Sequence, residues 1–133
     1  MIKKISAFTL IEVMITLVIL GVLAGLALPM YNKTTEDARS NEARVNLQTI
    51  HYGEKVYRLN NNSFWPLAGT SKTSSANLAE INTALNIDLT TPQYYDITVT
   101  SSASTNYTAT ATRKGATRQY QIDQNGLVNP TAS

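Results

Sequence analysis

Few residues in this chain of 133 could carry out chemistry. It has no cysteine, which excludes a thiol nucleophile, a disulfide and a zinc–thiolate site. His51 is its one histidine, and a lone histidine in a helical stretch is usually structural or solvated. No G-x-S-x-G, H-E-x-x-H or phosphate-binding glycine loop occurs. The stretch from Asp123 to Gly126 lacks the later acids that a calcium loop needs. We therefore predict no enzyme, no cofactor and no metal site.

The chemically unusual group is Glu12, a carboxylate inside an apolar run. Lys3 and Lys4 precede this run, which reads FTLIEVMITLVILGVLAGLALPMY from Phe8 to Tyr31. About 20 apolar residues in a helix cover about 30 Å, so the run is long enough to span a bilayer. An unpaired carboxylate there costs roughly 3 kcal/mol on insertion scales. An ordinary secretory signal needs no such group, and no A-x-A-like cleavage site follows the run.

The hexapeptide Ala7-Phe8-Thr9-Leu10-Ile11-Glu12 resembles the cleavage and methylation motif of type IV prepilins and of type II secretion pseudopilins. This resemblance implies that a prepilin peptidase/N-methyltransferase cuts between Ala7 and Phe8 and methylates the new Phe8 amine. It also implies that Glu12 guides assembly into a helical filament of identical subunits, at an assembly platform in the inner membrane. The family usually has glycine before the cut. Ala7 is also small, so we still expect cleavage.

Three residues interrupt the apolar run: Gly21, Gly25 and Pro29. Proline inside an ordinary helix costs about 3 kcal/mol, and glycine also disfavours helix. We predict a continuous or gently kinked helix in the membrane-bound subunit that partly melts at these residues in the filament.

Charge predicts association rather than nucleic-acid binding. The formal net charge is +2, but loss of residues 1–7 removes Lys3 and Lys4 and takes Lys plus Arg from 11 to 9, equal to the 9 Asp plus Glu. Near-neutral charge favours association, and this balance suggests no basic face for nucleic acid. The short basic N-terminal segment with Lys3 and Lys4 is expected to stay in the cytoplasm, with the C-terminal domain outside the bacterial inner membrane.

The segment from Glu36 to Leu59 is rich in helix formers and carries two apolar stripes on opposite sides. One stripe consists of Ala38, Val45, Tyr52, Val56 and Leu59, and the other of Ala43, Leu47, Ile50 and Tyr57. We predict that the first stripe packs on the C-terminal domain, because it carries no charge. The second stripe is interrupted by Glu36, Glu54 and Arg58, and is expected either to meet neighbouring subunits or to lie under the following loop.

The next segment is predicted to be a connection with one short helix. Asn60-Asn61-Asn62 should end the long helix, because asparagine favours turns. Phe64-Trp65-Pro66 should be core or loop-anchoring residues. The stretch Ser71–Ser75 is expected to be flexible, followed by a helix over 76–85 that Ser75 caps.

The final third alternates apolar and polar residues with a period of two, which predicts half-buried antiparallel strands. The inward residues of three predicted strands are Tyr95, Ile97 and Val99, then Tyr107, Ala109 and Ala111, then Tyr120 and Ile122. Turns are predicted at Ser101–Ser104, Lys114–Ala116 and Asn125–Gly126, with a tail from Val128 to Ser133. The predicted fold class is α+β and pilin-like: a long N-terminal α-helix packed on a small antiparallel sheet of about three strands.

The predicted organisation has five parts: a leader peptide at 1–7, a membrane-spanning and filament-core helix at 8–31, its amphipathic continuation at 32–60, a connection at 61–92, and the sheet with its tail at 93–133. The predicted function is a type IV pilin-like filament subunit, in the inner membrane before assembly and in a cell-surface pilus afterwards. The alternatives are a pseudopilin in a periplasmic pseudopilus and, less favoured, a monomeric membrane-tethered binding domain. The major pseudopilin of type II secretion carries a calcium loop without a convincing counterpart here, which favours the pilus.

Overall fold

The computed structural model describes residues 8–126 and the backbone of 129–131. The chain divides into two compact units, Met1–Ala38 and Arg39–Ser133. The predicted leader, including Ala7, lies outside the described residues, as do residues 127, 128, 132 and 133. The boundary between the units falls within one long helix, α1, which runs from Leu10 to Asn61.

In the first unit α1 consists mainly of leucine, isoleucine, valine and alanine, and it contains Pro29 without a break. By length and composition α1 could cross a membrane, and its apolar stretch is not buried against the chain itself. The side chains from Leu10 to Asn32 are exposed. This part of α1 therefore has an apolar surface on all sides, with no partner among the described residues of the chain.

The second unit holds a five-stranded antiparallel sheet with the strands in chain order. The strands are β1 (Thr70–Thr73), β2 (Tyr95–Ala103), β3 (Asn106–Arg113), β4 (Gln119–Asp123) and β5 (Asn129–Thr131), and a second helix, α2, spans Ser74–Leu85. The α+β pilin-like class is confirmed. The three predicted strands are β2, β3 and β4, and the structure adds one strand at each edge. The predicted inward residues are all buried.

The prediction of which face of α1 packs on the sheet was wrong. Leu47 and Ile50 are 0% exposed, whereas Val45 and Tyr52 are 58% and 66% exposed. The buried residues of α1 are Ser40, Ala43, Leu47, Ile50, His51, Gly53 and Glu54. The stripe through Val45 and Tyr52 is therefore the free one.

Two of the charges that argued against the buried stripe are accommodated locally. Glu54 is buried and accepts a hydrogen bond from the Trp65 N–H at 2.9 Å. The Arg58 guanidinium lies 4.8 Å from the centre of the Phe64 ring, where a cation and the face of an aromatic ring attract each other. Phe64, Trp65 and Pro66 are buried, as predicted for core or anchoring residues.

The stretch Ser71–Ser75 is not a flexible loop. It forms most of β1, which pairs with β2, and the first residues of α2. The Thr73 hydroxyl lies 3.2 Å from that of Thr98, and the Ser74 hydroxyl accepts the Ile97 N–H at 2.9 Å. The N-cap of α2 is Thr73 rather than Ser75.

The positions at which the helices and strands end agree with the predictions in part. α1 ends at Asn61, and Asn62 adopts φ 56°, the left-handed conformation that asparagine tolerates. The predicted turns at Lys114–Ala116 and Asn125–Gly126 are present. The turn predicted at Ser101–Ser104 falls later, because β2 continues to Ala103 with a register irregularity after Thr100. Residues 129–131 of the predicted tail form β5, which pairs with β4.

Candidate assembly site

Glu12 takes part in a capping box at the start of α1. The Thr9 backbone N–H and hydroxyl each donate to Glu12 Oε2 at 2.9 Å, and the Glu12 N–H lies 3.3 Å from the Thr9 hydroxyl oxygen. A capping box satisfies N–H groups that the first turn of a helix leaves without partners. The spacing Thr-x-x-Glu at a helix start is its known signature. This second role of Glu12 was missed in the sequence analysis.

The cap also determines where the carboxylate lies. Glu12 is bound to Thr9, one residue from Phe8, at the N-terminal end of the helix. Phe8 and Glu12 are both exposed. Cleavage between Ala7 and Phe8, which the resemblance implies, would convert the Phe8 peptide nitrogen into an amine. The cap therefore holds the carboxylate close to the position where that amine would form.

The rest of the apolar segment offers few polar groups. The Thr16 hydroxyl donates to the Val13 carbonyl at 2.9 Å, so it too is satisfied within the helix. Apart from the adjacent residues and the surrounding turns of helix backbone, no described group lies within 4 Å of where a β-carbon would stand on Gly21 or Gly25. Small residues without neighbours let a second helix approach closely in an apolar environment. The helix is continuous through Gly21, Gly25 and Pro29, so the predicted melting stays a prediction about the filament.

A second apolar surface lies on the second-unit part of α1. We call it the α1 stripe; it consists of Val45, Tyr52, Val56 and Leu59, with exposures between 49% and 83%. These four residues lie on the side of the helix opposite Leu47 and Ile50. No residue in the described part of the chain covers this surface.

His51 has a structural place, as predicted. It is 6% exposed, and its Nδ1 pairs with the Tyr107 hydroxyl of β3. Burial lowers the pKa of His51, because the charged imidazolium is poorly solvated there. Among the described residues no group of three potential metal ligands occurs. The Asp123 carboxylate accepts hydrogen bonds from the backbone and side chain of Asn125 within its own turn.

The fold and the N-terminal segment together define a pilin-like protein. A family model for the prokaryotic N-terminal methylation motif matches residues 2–28. The model described as type IV minor pilin ComP, DNA uptake sequence receptor, matches residues 29–122, and the chain belongs to this family. It is a pilin-like structural subunit.

Relatives come from both pili and secretion systems. The chain is 38% identical over 50 residues to the type IV major pilin protein PilA of Myxococcus xanthus, covering 38% of this chain and 23% of that one. It is 36% identical over 62 residues to the type II secretion system core protein G of Aeromonas hydrophila, covering 47% and 43%. It is 41% identical over 66 residues to the type IV major pilin protein PilE of Neisseria gonorrhoeae, covering 50% and 39%. The chain thus spans less than half the length of each relative. No solved structure gives a significant match.

Proposed function

We propose that this protein is the subunit of a type IV pilus, that it is cleaved between Ala7 and Phe8, and that it polymerises through the apolar part of α1. The observation that carries this proposal is the exposed apolar surface from Leu10 to Met30, which has no partner in the described part of its own chain. Lipid covers such a surface before assembly, and other copies of the same helix replace the lipid in a filament. In a helical homo-oligomer every copy buries this apolar surface against its neighbours in the same way.

The proposed partners act on the subunit as it passes from the membrane into the filament. We infer that a prepilin peptidase/N-methyltransferase processes the chain in the bacterial inner membrane, with the domain after Tyr31 outside. An inner-membrane assembly platform then moves the subunit into the filament. The leader 1–7 is lost at the first of these steps.

Two features support a pilus over the alternatives. The pilin family model matches most of the second unit, which supports a pilus over a secretion pseudopilus, although both kinds of relative occur. The α1 stripe supports assembly over a monomeric tethered domain, because a monomer would leave Tyr52 and Leu59 in water. In a filament the stripe would lie against neighbouring subunits.

Processing is tested by intact-mass spectrometry of filaments sheared from cells. We expect a chain that begins at Phe8 and carries one added methyl group. A mature species that retains Met1 to Ala7, in cells with an active prepilin peptidase, would contradict the proposal. Filaments of a secretion system stay in the periplasm, so recovery of the chain only from that fraction would favour the pseudopilus.

The same filaments test the proposed helix break. In an electron-microscopy map we expect non-helical backbone between Gly21 and Pro29, where intrinsic helix preference is weakest. Backbone groups freed there would be shielded or paired by neighbouring helices, because no water reaches them. An unbroken helix through this segment in the filament would exclude the idea.

A second candidate function is DNA binding, since the matching family is described as a DNA uptake sequence receptor. The observation in its favour is the turn between β3 and β4, residues 114–118, which together with Arg113 at the end of β3 supplies three basic residues, Arg113, Lys114 and Arg118, and no acid. Lys114 and Arg118 are exposed, although Lys114 Nζ donates to the Pro92 carbonyl and lies 3.7 Å from Asp96. The neutral net charge suggested no basic face on the protein. A small local group of basic residues is nevertheless enough to contact DNA phosphates.

Duplex binding by the full chain in detergent micelles tests this candidate. Exchanging Lys114 and Arg118 for alanine is expected to weaken binding and to reduce its salt dependence, because each lost phosphate contact lowers the salt slope by about one. Lys72→Ala is the matched control, since Lys72 is a lysine of β1 and lies outside the turn between β3 and β4. Equal DNA binding by the natural chain, the variant with alanine at both 114 and 118, and Lys72→Ala would exclude this turn as the DNA site.

A further inference from the structure

Glu54 is the one fully buried acidic residue among those described. It is 0% exposed. Its Oε2 accepts the Trp65 N–H at 2.9 Å, while Oε1 has no hydrogen-bond partner. An ionised carboxylate in such a place would be costly, because one oxygen would lose its hydration without compensation.

No cation in the described part of the chain neutralises this carboxyl group. The titratable groups within four residues of it on α1 are His51, Lys55 and Arg58. Tyr107 on β3 interacts electrostatically with Glu54, and Asp123 on β4 interacts with His51 and Tyr107. No ion pair to Glu54 is formed by any residue that the structure describes. Arg58 is occupied with the Phe64 ring, and His51 is paired with the Tyr107 hydroxyl. Glu54 is therefore most stable in its neutral, protonated form.

The two sides of Glu54 differ in how easily they can move. On the α1 side, Gly53 lies so close to α2 that an added β-carbon would be 2.9 Å from Leu85 Cβ and 3.1 Å from the Leu85 carbonyl. The helix is thus held tightly at this point. On the other side lies the connection 62–69. Its backbone bonds to β2 and the turn after it are from the Phe64 N–H to the Ser104 carbonyl and from the Gly69 N–H to the Ser101 carbonyl, and its bonds to adjacent residues are from the Asn62 N–H to the Arg58 carbonyl and from the Thr70 N–H to the Leu67 carbonyl. The connection is the side that can open to let water reach Glu54.

We propose that Glu54 is a proton-dependent latch, whose neutral carboxyl group fastens Trp65 to α1 and whose ionisation releases the connection 62–69. The buried position, the single hydrogen bond and the lack of a cation carry this proposal. Release would expose Trp65 and change the surface that this end of the subunit offers to neighbouring subunits or ligands.

The pH range follows from the sign of the shift. Burial raises the pKa of Glu54 to about 8, and the Trp65 N–H counteracts this only in part. In the unfolded chain the pKa of this carboxyl group is near its ordinary value of 4.5. The stabilisation by neutral Glu54 is therefore fully present below pH 4.5, the pKa of this group in the unfolded chain. It declines as the pH rises and is lost above about pH 8. His51 acts in the opposite direction, because its lowered pKa costs stability as the pH falls.

Trp65 is the only tryptophan of the chain, so its fluorescence reports the latch directly. The full chain in detergent micelles is titrated from about pH 6 to about pH 9, where only about a tenth of free tyrosine is ionised. We expect the emission to shift to longer wavelength with a midpoint near the Glu54 pKa of about 8. Amide exchange of residues 63–65 should rise in parallel beyond the increase caused by base catalysis alone.

Three variants make the test decisive. In Glu54→Gln the amide oxygen can still accept the Trp65 N–H but does not titrate, so the transition should be lost. Glu54→Met, apolar and similar in volume, serves the same purpose if the glutamine variant does not fold. Glu80→Gln is the matched control, since Glu80 is exposed and its loss should leave the transition unchanged. No transition in the natural chain, or the same transition in Glu54→Gln or Glu54→Met, would overturn the proposal.

Discussion

Cells whose only copy of the subunit carries Glu12→Ala are expected to insert and cleave the protein normally but to form few or no filaments. The apolar segments of many copies would create a medium of low dielectric, in which a carboxylate must be paired. After cleavage Lys3 and Lys4 are gone, and the Phe8 amine is the nearest positive group. Pairing between Glu12 of one copy and Phe8 of the next would select the axial register.

The size of the effect comes from the unpaired partner. Losing one member of a buried pair typically costs about 3–5 kcal/mol, and Glu12→Ala would leave the amine buried alone in each subunit. Because each added subunit repeats this cost, a filament should be affected far more than a single chain in lipid. The measurement is the yield of sheared filaments relative to the cleaved subunit in the membrane fraction.

The capping box requires two further variants, because Glu12 also binds Thr9. Glu12→Gln keeps an acceptor for the Thr9 N–H but removes the charge, and Thr9→Ala weakens the cap by about 1 kcal/mol while keeping the charge. We expect filaments from Thr9→Ala and few from Glu12→Gln. The reverse result would assign Glu12 to helix capping. Normal filament yield from Glu12→Ala, with no other subunit supplying an acid, would contradict the pairing mechanism.

Leu47→Ala is expected to lower the free energy of unfolding of the second unit by about 3 kcal/mol, because it leaves a cavity under a fully buried side chain. Val45→Ala is the matched control on the same helix, two residues away. Val45 is 58% exposed, so its truncation should change stability by less than about 0.5 kcal/mol. Denaturation of the detergent-solubilised chain, followed by Trp65 fluorescence, measures both.

This pair of variants also separates folding from assembly. The Val45 side chain belongs to the α1 stripe, so Val45→Ala should preserve the subunit while reducing the contact available to neighbouring copies. Leu47→Ala should instead lower the amount of folded subunit. Equal destabilisation by both variants, or a larger effect of Val45→Ala, would contradict the observed face of α1.

Several features could be predicted from the sequence because local patterns determine them. The apolar run from Phe8 to Tyr31 is long enough to span a membrane whatever it later contacts. The alternation in Tyr95–Val99 and Tyr107–Ala111 predicts strands, since successive side chains point to opposite faces. The motif around Ala7 and Phe8 was recognised from its residues alone and led to the family. The roles of Phe8, Glu12 and Pro29 in the filament remain predictions.

Only the tertiary structure decided which face of α1 is buried. Both stripes are apolar, and periodicity cannot rank two faces of similar hydrophobicity. The buried face was predicted to be the free one because Glu54 and Arg58 are charged as free side chains. In the fold burial raises the pKa of Glu54 to about 8, the Trp65 N–H donates to its carboxyl group, and the Arg58 guanidinium lies over the Phe64 ring. The edge strands β1 and β5 could not be predicted from the sequence either. Their short polar segments have no strand pattern of their own, and they become strands only because β2 and β4 offer backbone groups to pair with.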